Sequence, residues 1–265
     1  MNVKSALPQS HIDALASLGL ELAAAGRVQI LKHYRREFTI EDKPDLTPVT
    51  IADRNAEAAI RKIISQKQPN HGVMGEEYGN DRTDAEFVWV LDPIDGTKSF
   101  MTGKPLFGCL IALCQWGRPI LGVMDMPALD EVWLGGQGLP ATLNGRPVRV
   151  RNCSALDQAV VYATTPDMFL GPDQLAFARV KNRVKYILYG ADCYGYATVA
   201  AGWADAVVEA SLKPYDYLAC AAVVTAAGGY AADWNGKPLT LASADKVVMS
   251  GSVEMGQIIV KTLQS

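Results

Sequence analysis

The sequence predicts two layered subdomains, α+β in the first half and α/β in the second, with one cleft between them. Two textures carry that expectation. Short β-rich runs lean antiparallel behind two amphipathic helices up to about residue 150, and strands alternate with helices beyond it. Neither a repeat nor a low-complexity linker separates the halves, so residues 1–150 and 151–265 read as subdomains that stay together. At 265 residues the chain can bury a sizeable core around a recessed site.

From Ser10 to Arg36, the residues Ile12, Leu15, Leu18, Leu22, Val28 and Leu31 recur mostly at three- and four-residue steps, which predicts a long amphipathic helix capped by Ser10. The polar stretch from Glu41 to Thr47, with Lys43, Pro44 and Asp45, reads as a mobile loop. Helical spacing returns from Ile51 to Gln68 through Ala56, Ile60, Ile63 and Ile64. Phe87 to Leu91 is a short β-rich run, and Phe107 to Met126 reads as two strands about a turn at Gly117-Arg118-Pro119. Shorter strands are expected at Glu131 to Leu134 and Pro147 to Val150. The second half then reads as strand Ala159 to Ala163, helix Asp173 to Asn182, strand Lys185 to Leu188 and helix Asp192 to Ala201. Strand Asp205 to Glu209, helix Tyr215 to Ala227, strand Val247 to Met249 and helix Val253 to Leu263 complete it.

Lys and Arg number 25 against 28 Asp and Glu, a net charge of −3, and no basic run exceeds two residues, which argues against nucleic-acid binding. The longest apolar stretch, Leu218 to Ala232, is broken by Gly228 and Gly229, and Met1 to Pro8 lacks the apolar core of a signal peptide, so no membrane association is expected. Five cysteines (Cys109, Cys114, Cys153, Cys193, Cys220) are scattered without a CxxC pair, and His11, His33 and His71 form no HxxxH spacing. Disulfide frameworks and thiolate or imidazole metal sites are therefore disfavoured, a reducing cytoplasm is expected, and the chemistry must rest on carboxylates.

The densest acidic constellation is Gly75-Glu76-Glu77, followed sixteen residues after Glu76 by Asp92-Pro93-Ile94-Asp95-Gly96-Thr97. The second piece closes an apolar strand, where loops build sites; Pro93 fixes φ and Gly96 permits a tight turn, so Asp92 and Asp95 can converge. Two or three convergent carboxylates suit a hard divalent cation such as Mg²⁺. A third piece, Lys213-Pro214-Tyr215-Asp216, sets a carboxylate at a helix start. Read singly, these pieces are also compatible with surface turns and a helix-start acid.

Together, GEE, the segment Leu91 to Thr97 and the late Tyr215-Asp216 before a small-residue helix resemble the inositol monophosphatase family of metal-dependent, lithium-sensitive phosphatases. The likeness covers nearly the whole chain, including Thr50-Ile51-Ala52-Asp53 and Gly228-Gly229, and within the family it leans toward bacterial histidinol-phosphatases through Lys98-Ser99-Phe100, Gly103 to Gly108, Gly190 to Tyr194, and Val208 to Asp216. Two departures stand out: Asp192-Cys193 where inositol phosphatases usually carry small or hydroxyl residues, and Tyr215 where tryptophan is common. The resemblance implies a layered αβαβα sandwich of the inositol monophosphatase and fructose bisphosphatase type, two to three Mg²⁺ ions per subunit, and a homodimer. It implies Glu76, Asp92 and the Ile94 carbonyl on one ion, Asp92, Asp95 and Asp216 on a second, and a looser third near Glu76. Asp53 and Thr97 would be a hydrogen-bonded pair activating the attacking water, and the backbone N–H groups at Gly96 and Thr97 would hold phosphate oxygens, with Asp95 also against the substrate.

Asp192 and Glu209 would then lie on the leaving-group side, where two acids favour a cationic ester such as L-histidinol phosphate over a neutral polyol phosphate. Asp192 is equally readable as the N-cap of the helix Tyr194 to Ala201. The alternatives are an inositol-1-monophosphatase or broad sugar-phosphate phosphatase, a regulatory protein of the same fold binding transcription machinery, and a purely structural divalent-ion site. Gly136-Gln137-Gly138-Leu139-Pro140-Ala141 matches a dinucleotide fingerprint only formally, because a turn and strand follow it. The five tryptophans read as packing residues and His71 as surface or structural.

Overall fold

The computed structural model describes residues 7–36, 40–42 and 48–265, and of 40–42 and 48–49 only the backbone. Most of the expected loop from Glu41 to Thr47 lies outside these residues; Glu41 and Asp42 belong to a strand. Helix α1 (Gln9–Leu31) starts behind Pro8, whose carbonyl accepts from the N–H groups of His11 and Ile12 at 2.9 and 3.2 Å. Ser10 therefore sits inside the first turn, not at the cap. Strands β1 (Ile40–Asp42) and β2 (Pro48–Thr50) pair antiparallel and lead into α2 (Ile51–Lys67). Thr50 caps α2: its hydroxyl accepts from Ala52 N at 3.1 Å, and Asp53 at the third helical position accepts from Thr50 N at 2.8 Å, a reciprocal capping box.

The first sheet gathers β3 (Gly72–Gly75), β4 (Gly79–Asp81), β5 (Phe87–Asp95), β6 (Gly108–Gln115), β7 (Arg118–Met126), β8 (Glu131–Gly136), β9 (Leu139–Leu143) and β10 (Arg146–Pro147). Its order is β10-β9-β8-β7-β6-β5-β3-β4, antiparallel except for the parallel pair β3 and β5. Between β5 and β6 lies the short helix α3 (Thr97–Met101). Strand β5 outruns the expected Leu91, pairing Asp92 with Leu110 and Asp95 with Gly108 across a register shift. Pro93, which has no N–H to give the ladder, lies within that shift. The strand expected from Pro147 to Val150 is shorter: Val150 N donates to Ala227 O instead.

After β11 (Val160–Ala163) come α4 (Pro172–Lys181), β12 (Tyr186–Tyr189), α5 (Tyr194–Ala200), β13 (Ala206–Glu209), α6 (Pro214–Ala226), β14 (Tyr230–Asp233), β15 (Val247–Ser250) and α7 (Val253–Gln264). The second sheet runs β12-β11-β13-β15-β14, with β11 parallel to β12 and β13, and β15 antiparallel to its neighbours.

Side-chain alternation assigns the layers. On β5, Trp89 and Leu91 face α1 and α2, whereas Val88 and Val90 face a second core shared with α5, α6 and the second sheet. A third core packs α4 and α7 on the far face of that sheet. The result is αβαβα. Helix α1 is long and apolar enough by composition to cross a membrane, yet Leu15, Leu18, Leu22 and Ile30 are buried in the first core.

His71, read from sequence as surface or structural, is buried before β3, where its Nδ1 accepts from Trp89 Nε1 at 3.1 Å. A proton on Nδ1 would abolish that bond, and burial pulls the imidazole's pKa below its ordinary 6.5, with His11 adding to the effect. Because the folded pKa is depressed for a base, the unfolded chain takes up the proton first, and the contribution of His71 to stability falls as pH drops below 6.5. Thermal melts of wild type and His71→Gln between pH 8 and pH 5 should show the wild type losing more; parallel curves would exclude this role.

Candidate active site

The site forms where β5 ends. Gly96 takes a left-handed backbone (φ 83) that most residues avoid, turning the chain into α3 and bringing Asp92 and Asp95 to one side. Asp92 Oδ1 accepts from Ile94 N at 3.0 Å, which fixes the carboxylate after its strand. Asp216 arrives from the first turn of α6, where Lys213 N donates to its Oδ2 at 2.7 Å. One oxygen from each of Asp92, Asp95 and Asp216 falls within 4.8 Å of the others. Glu76, just after β3, lines the same cleft of about 340 Å³, together with Ile94, Gly96, Thr97, Asp192 and Glu209. A larger cavity of about 420 Å³ between β7 and α6 is lined by Arg118, Gln137 and otherwise small or apolar side chains without a carboxylate, so the chemistry belongs to the smaller one.

Packed this closely, these acids oppose each other's ionisation. Burial, then Glu76, Asp95 and Asp216, pushes Asp92 well above the ordinary carboxylate range. Asp95 is raised by burial and then by Asp192 and Asp216, against the Cys193 N–H that donates to its Oδ2 at 2.7 Å. Asp216 is pushed up to about 7, chiefly by burial and against its bond from Lys213. Convergent oxygen donors that cannot all carry charge unaided fit a hard divalent cation, which would remove the repulsion and take carboxylate and carbonyl oxygens together.

Asp53 and Thr97 are not bonded to one another, contrary to the pairing that the resemblance implies. Asp53 Oδ2 accepts both Thr50 donors, N at 2.8 Å and Oγ1 at 2.5 Å, because the capping box claims it. Thr97 Oγ1 instead donates to the Ile94 carbonyl at 3.1 Å. Burial lifts Asp53 to about 6 despite the Thr50 bonds, with Glu76 near enough to add to the rise.

Asp192 is not the N-cap of α5 either; Cys193 holds that position. Asp192 has a left-handed backbone (φ 49), and its Oδ2 accepts from Ser99 Oγ at 2.5 Å, joining α3 to the segment before α5. Glu209, at the end of β13 and 3% exposed, accepts from Thr164 N and Oγ1, both at 2.7 Å, and from Tyr196 Oη at 2.5 Å. Burial raises its pKa, with Asp192 adding and the Tyr196 and Thr164 bonds opposing. Sequence reading missed Ser99, Thr164 and Tyr196 as the residues that hold Asp192 and Glu209. Each meets its acid only through the tertiary fold, so no local spacing signals them. Lys98 and Lys213, also missed, are exposed residues on the cleft lining.

A family model described as the inositol monophosphatase family matches residues 12–265. The chain is 45% identical to the chloroplastic bifunctional phosphatase IMPL2 of Arabidopsis thaliana, over 98% of this chain and 78% of that protein. It is 38% identical to a histidinol-phosphatase of Chlorobaculum parvum, over 83% of this chain and 86% of the relative. Among solved structures, an inositol monophosphatase from Zymomonas mobilis superposes with a TM-score of 0.88 at 38% identity, covering 96% of this chain and 98% of that one.

Proposed function

The chain belongs to the inositol monophosphatase family and is a phosphatase acting on phosphate monoesters, and from that premise we propose that its substrate is L-histidinol phosphate, cleaved by water to L-histidinol and phosphate. The observation that carries this reading is the presence of Asp192 and Glu209 in the same cleft as the carboxylate cluster. An ester with an ammonium and a partly protonated imidazole gains charge-assisted bonds there that a neutral cyclitol cannot. Relatives named for histidinol phosphate, at 38 and 36% identity, support it.

In this reading Glu76, Asp92, Asp95, Asp216 and the Ile94 carbonyl hold two to three Mg²⁺ ions. When bound, such ions neutralise the phosphate dianion, acidify a water and stabilise the departing alkoxide. The residues of the chain do the rest. Backbone N–H groups at Gly96 and Thr97 take phosphate oxygens. Asp53, with its pKa lifted to about 6, is largely ionised at neutral pH yet basic enough to accept a proton, which suits a general base. Thr97 orients the Ile94 carbonyl. Asp192, set by Ser99, and Glu209, set by Thr164 and Tyr196, hold the leaving group. Residues 1–150 supply most of the metal ligands and 151–265 most of the selectivity. We assign the working form to a cytoplasmic homodimer, with no nucleic-acid or membrane partner.

The second reading, an inositol-1-monophosphatase or broader sugar-phosphate phosphatase, is favoured by the name of the Zymomonas structure. Phosphate release from L-histidinol phosphate, inositol 1-phosphate and fructose 1,6-bisphosphate, each with Mg²⁺, separates the two. One additional charge-assisted bond should give histidinol phosphate at least about a tenfold advantage in kcat/KM. Equal or better turnover of the cyclitol or sugar esters would sink the histidinol assignment and leave the phosphatase standing.

A further inference from the structure

We infer that Glu57 is a positioning residue for Glu76, so that metal affinity at the site depends on a carboxylate that touches neither metal nor substrate. Glu57 lies one helical turn beyond Asp53 on α2 and is 0% exposed. Its Oε2 accepts from Glu77 N at 2.8 Å and its Oε1 from Tyr78 N at 3.1 Å, the two amides that directly follow Glu76. Arg61, one further turn along, donates from Nε to Glu57 Oε1 at 2.7 Å and from its second guanidinium nitrogen to the Gly79 carbonyl, so the buried charge is balanced and the whole β3–β4 turn is gripped. The glycine of GEE has its reason here: a Cβ on Gly75 would fall on Glu57 Oε1 and crowd the Arg61 guanidinium. Glu76 is thus held between a strand end, whose Glu76 N donates to Leu91 O at 3.2 Å, and a turn anchored to α2. A carboxylate whose backbone is fixed on both sides loses less freedom on taking up a cation, and partners of this kind commonly change metal affinity by about 10- to 100-fold.

The inference rests on Glu76 being a ligand, and the experiment separates the two. Mn²⁺, an oxygen-loving stand-in for Mg²⁺, is titrated calorimetrically into wild type, Glu57→Gln, Gly75→Ala and Glu76→Gln, with circular dichroism confirming the fold. Glu57→Gln should weaken Mn²⁺ by about 10- to 100-fold and raise the Mg²⁺ concentration for half-maximal turnover in parallel, with kcat recovering at high Mg²⁺. Gly75→Ala, which keeps every charge but displaces Glu57, should weaken it in the same direction, and covers the case in which Glu57→Gln does not fold. A purely structural role would lower the melting temperature and leave Mn²⁺ affinity at the wild-type value; that result in either folded variant, with Glu76→Gln weakened, overturns the positioning role alone. Unchanged affinity in Glu76→Gln overturns the ligand assignment itself.

Discussion

Asp92→Asn should fold normally and lose phosphate release by at least about 10³-fold with Mg²⁺ present, equivalent to roughly 4 kcal/mol of barrier. The fold survives because the asparagine carbonyl can still accept from Ile94 N, the bond that fixes the carboxylate now. Activity does not, because in the proposed arrangement Asp92 serves both ions, and it lies 2% exposed within the cluster. A stability readout accompanies it. The folded pKa of Asp92 is raised above its ordinary 3.8, so its contribution to stability is complete below that value and is lost as pH rises through the folded pKa. At neutral pH in chelator the wild type therefore holds its repelling acids together at a cost that Asp92→Asn avoids, and the variant should melt at the same or a higher temperature. Mg²⁺ should reverse the order, since binding stabilises only the chain that can take the ion. Activity within tenfold of wild type, or a Mg²⁺-induced shift in melting temperature equal to that of wild type, would refute the site.

Asp192→Asn should lower kcat/KM for L-histidinol phosphate by about 10- to 100-fold, the worth of a hydrogen bond to a charged group, while altering inositol 1-phosphate by no more than a few-fold. Asparagine is the fitting substitution: it tolerates the left-handed backbone at this position and can still accept from Ser99, so only the charge is removed. Comparing two esters is necessary because Asp192 also raises the pKa of Asp95, and its neutralisation touches every substrate through the cluster. Equal losses on both esters would place Asp192 in the general machinery and remove it from substrate choice.

The legible parts of this protein were those set by local pattern. Apolar spacing located α2, α4, α6 and α7 to within a residue or two, and the FVWVL run located β5. The acidic pieces were legible because oxygen-ligand chemistry requires particular residue types in a particular order. What escaped had physical reasons. Strands β3 and β4 are four and three residues long and rich in glycine, so their pairing comes from the sheet around them, not from propensity. Asp53 bonds Thr50 through a capping interaction three residues long and Thr97 bonds the Ile94 carbonyl, whereas the expected Asp53–Thr97 pair needed two separate elements to meet. Ser99 and Asp192 are 93 residues apart, and Thr164 and Glu209 are 45 apart; only topology joins them. Glu57 carried no signal of its own in the sequence, and its burial becomes intelligible only beside Gly75 and Arg61.

Helix α6 belongs in sequence to the second half, yet it lies across the first sheet, against β5, β6, β7 and β8, while carrying Asp216. Its position has a consequence for how the enzyme comes into being. The chain must close a very long loop before the carboxylate cluster is complete, a slow kind of step because the entropy of closure precedes any reward from contacts. During synthesis, Glu76, Asp92 and Asp95 leave the ribosome long before Asp216 exists, so an N-terminal fragment carries two of the acidic motifs without the third. The site is therefore completed late, when a helix from the last third of the chain docks back onto the first sheet.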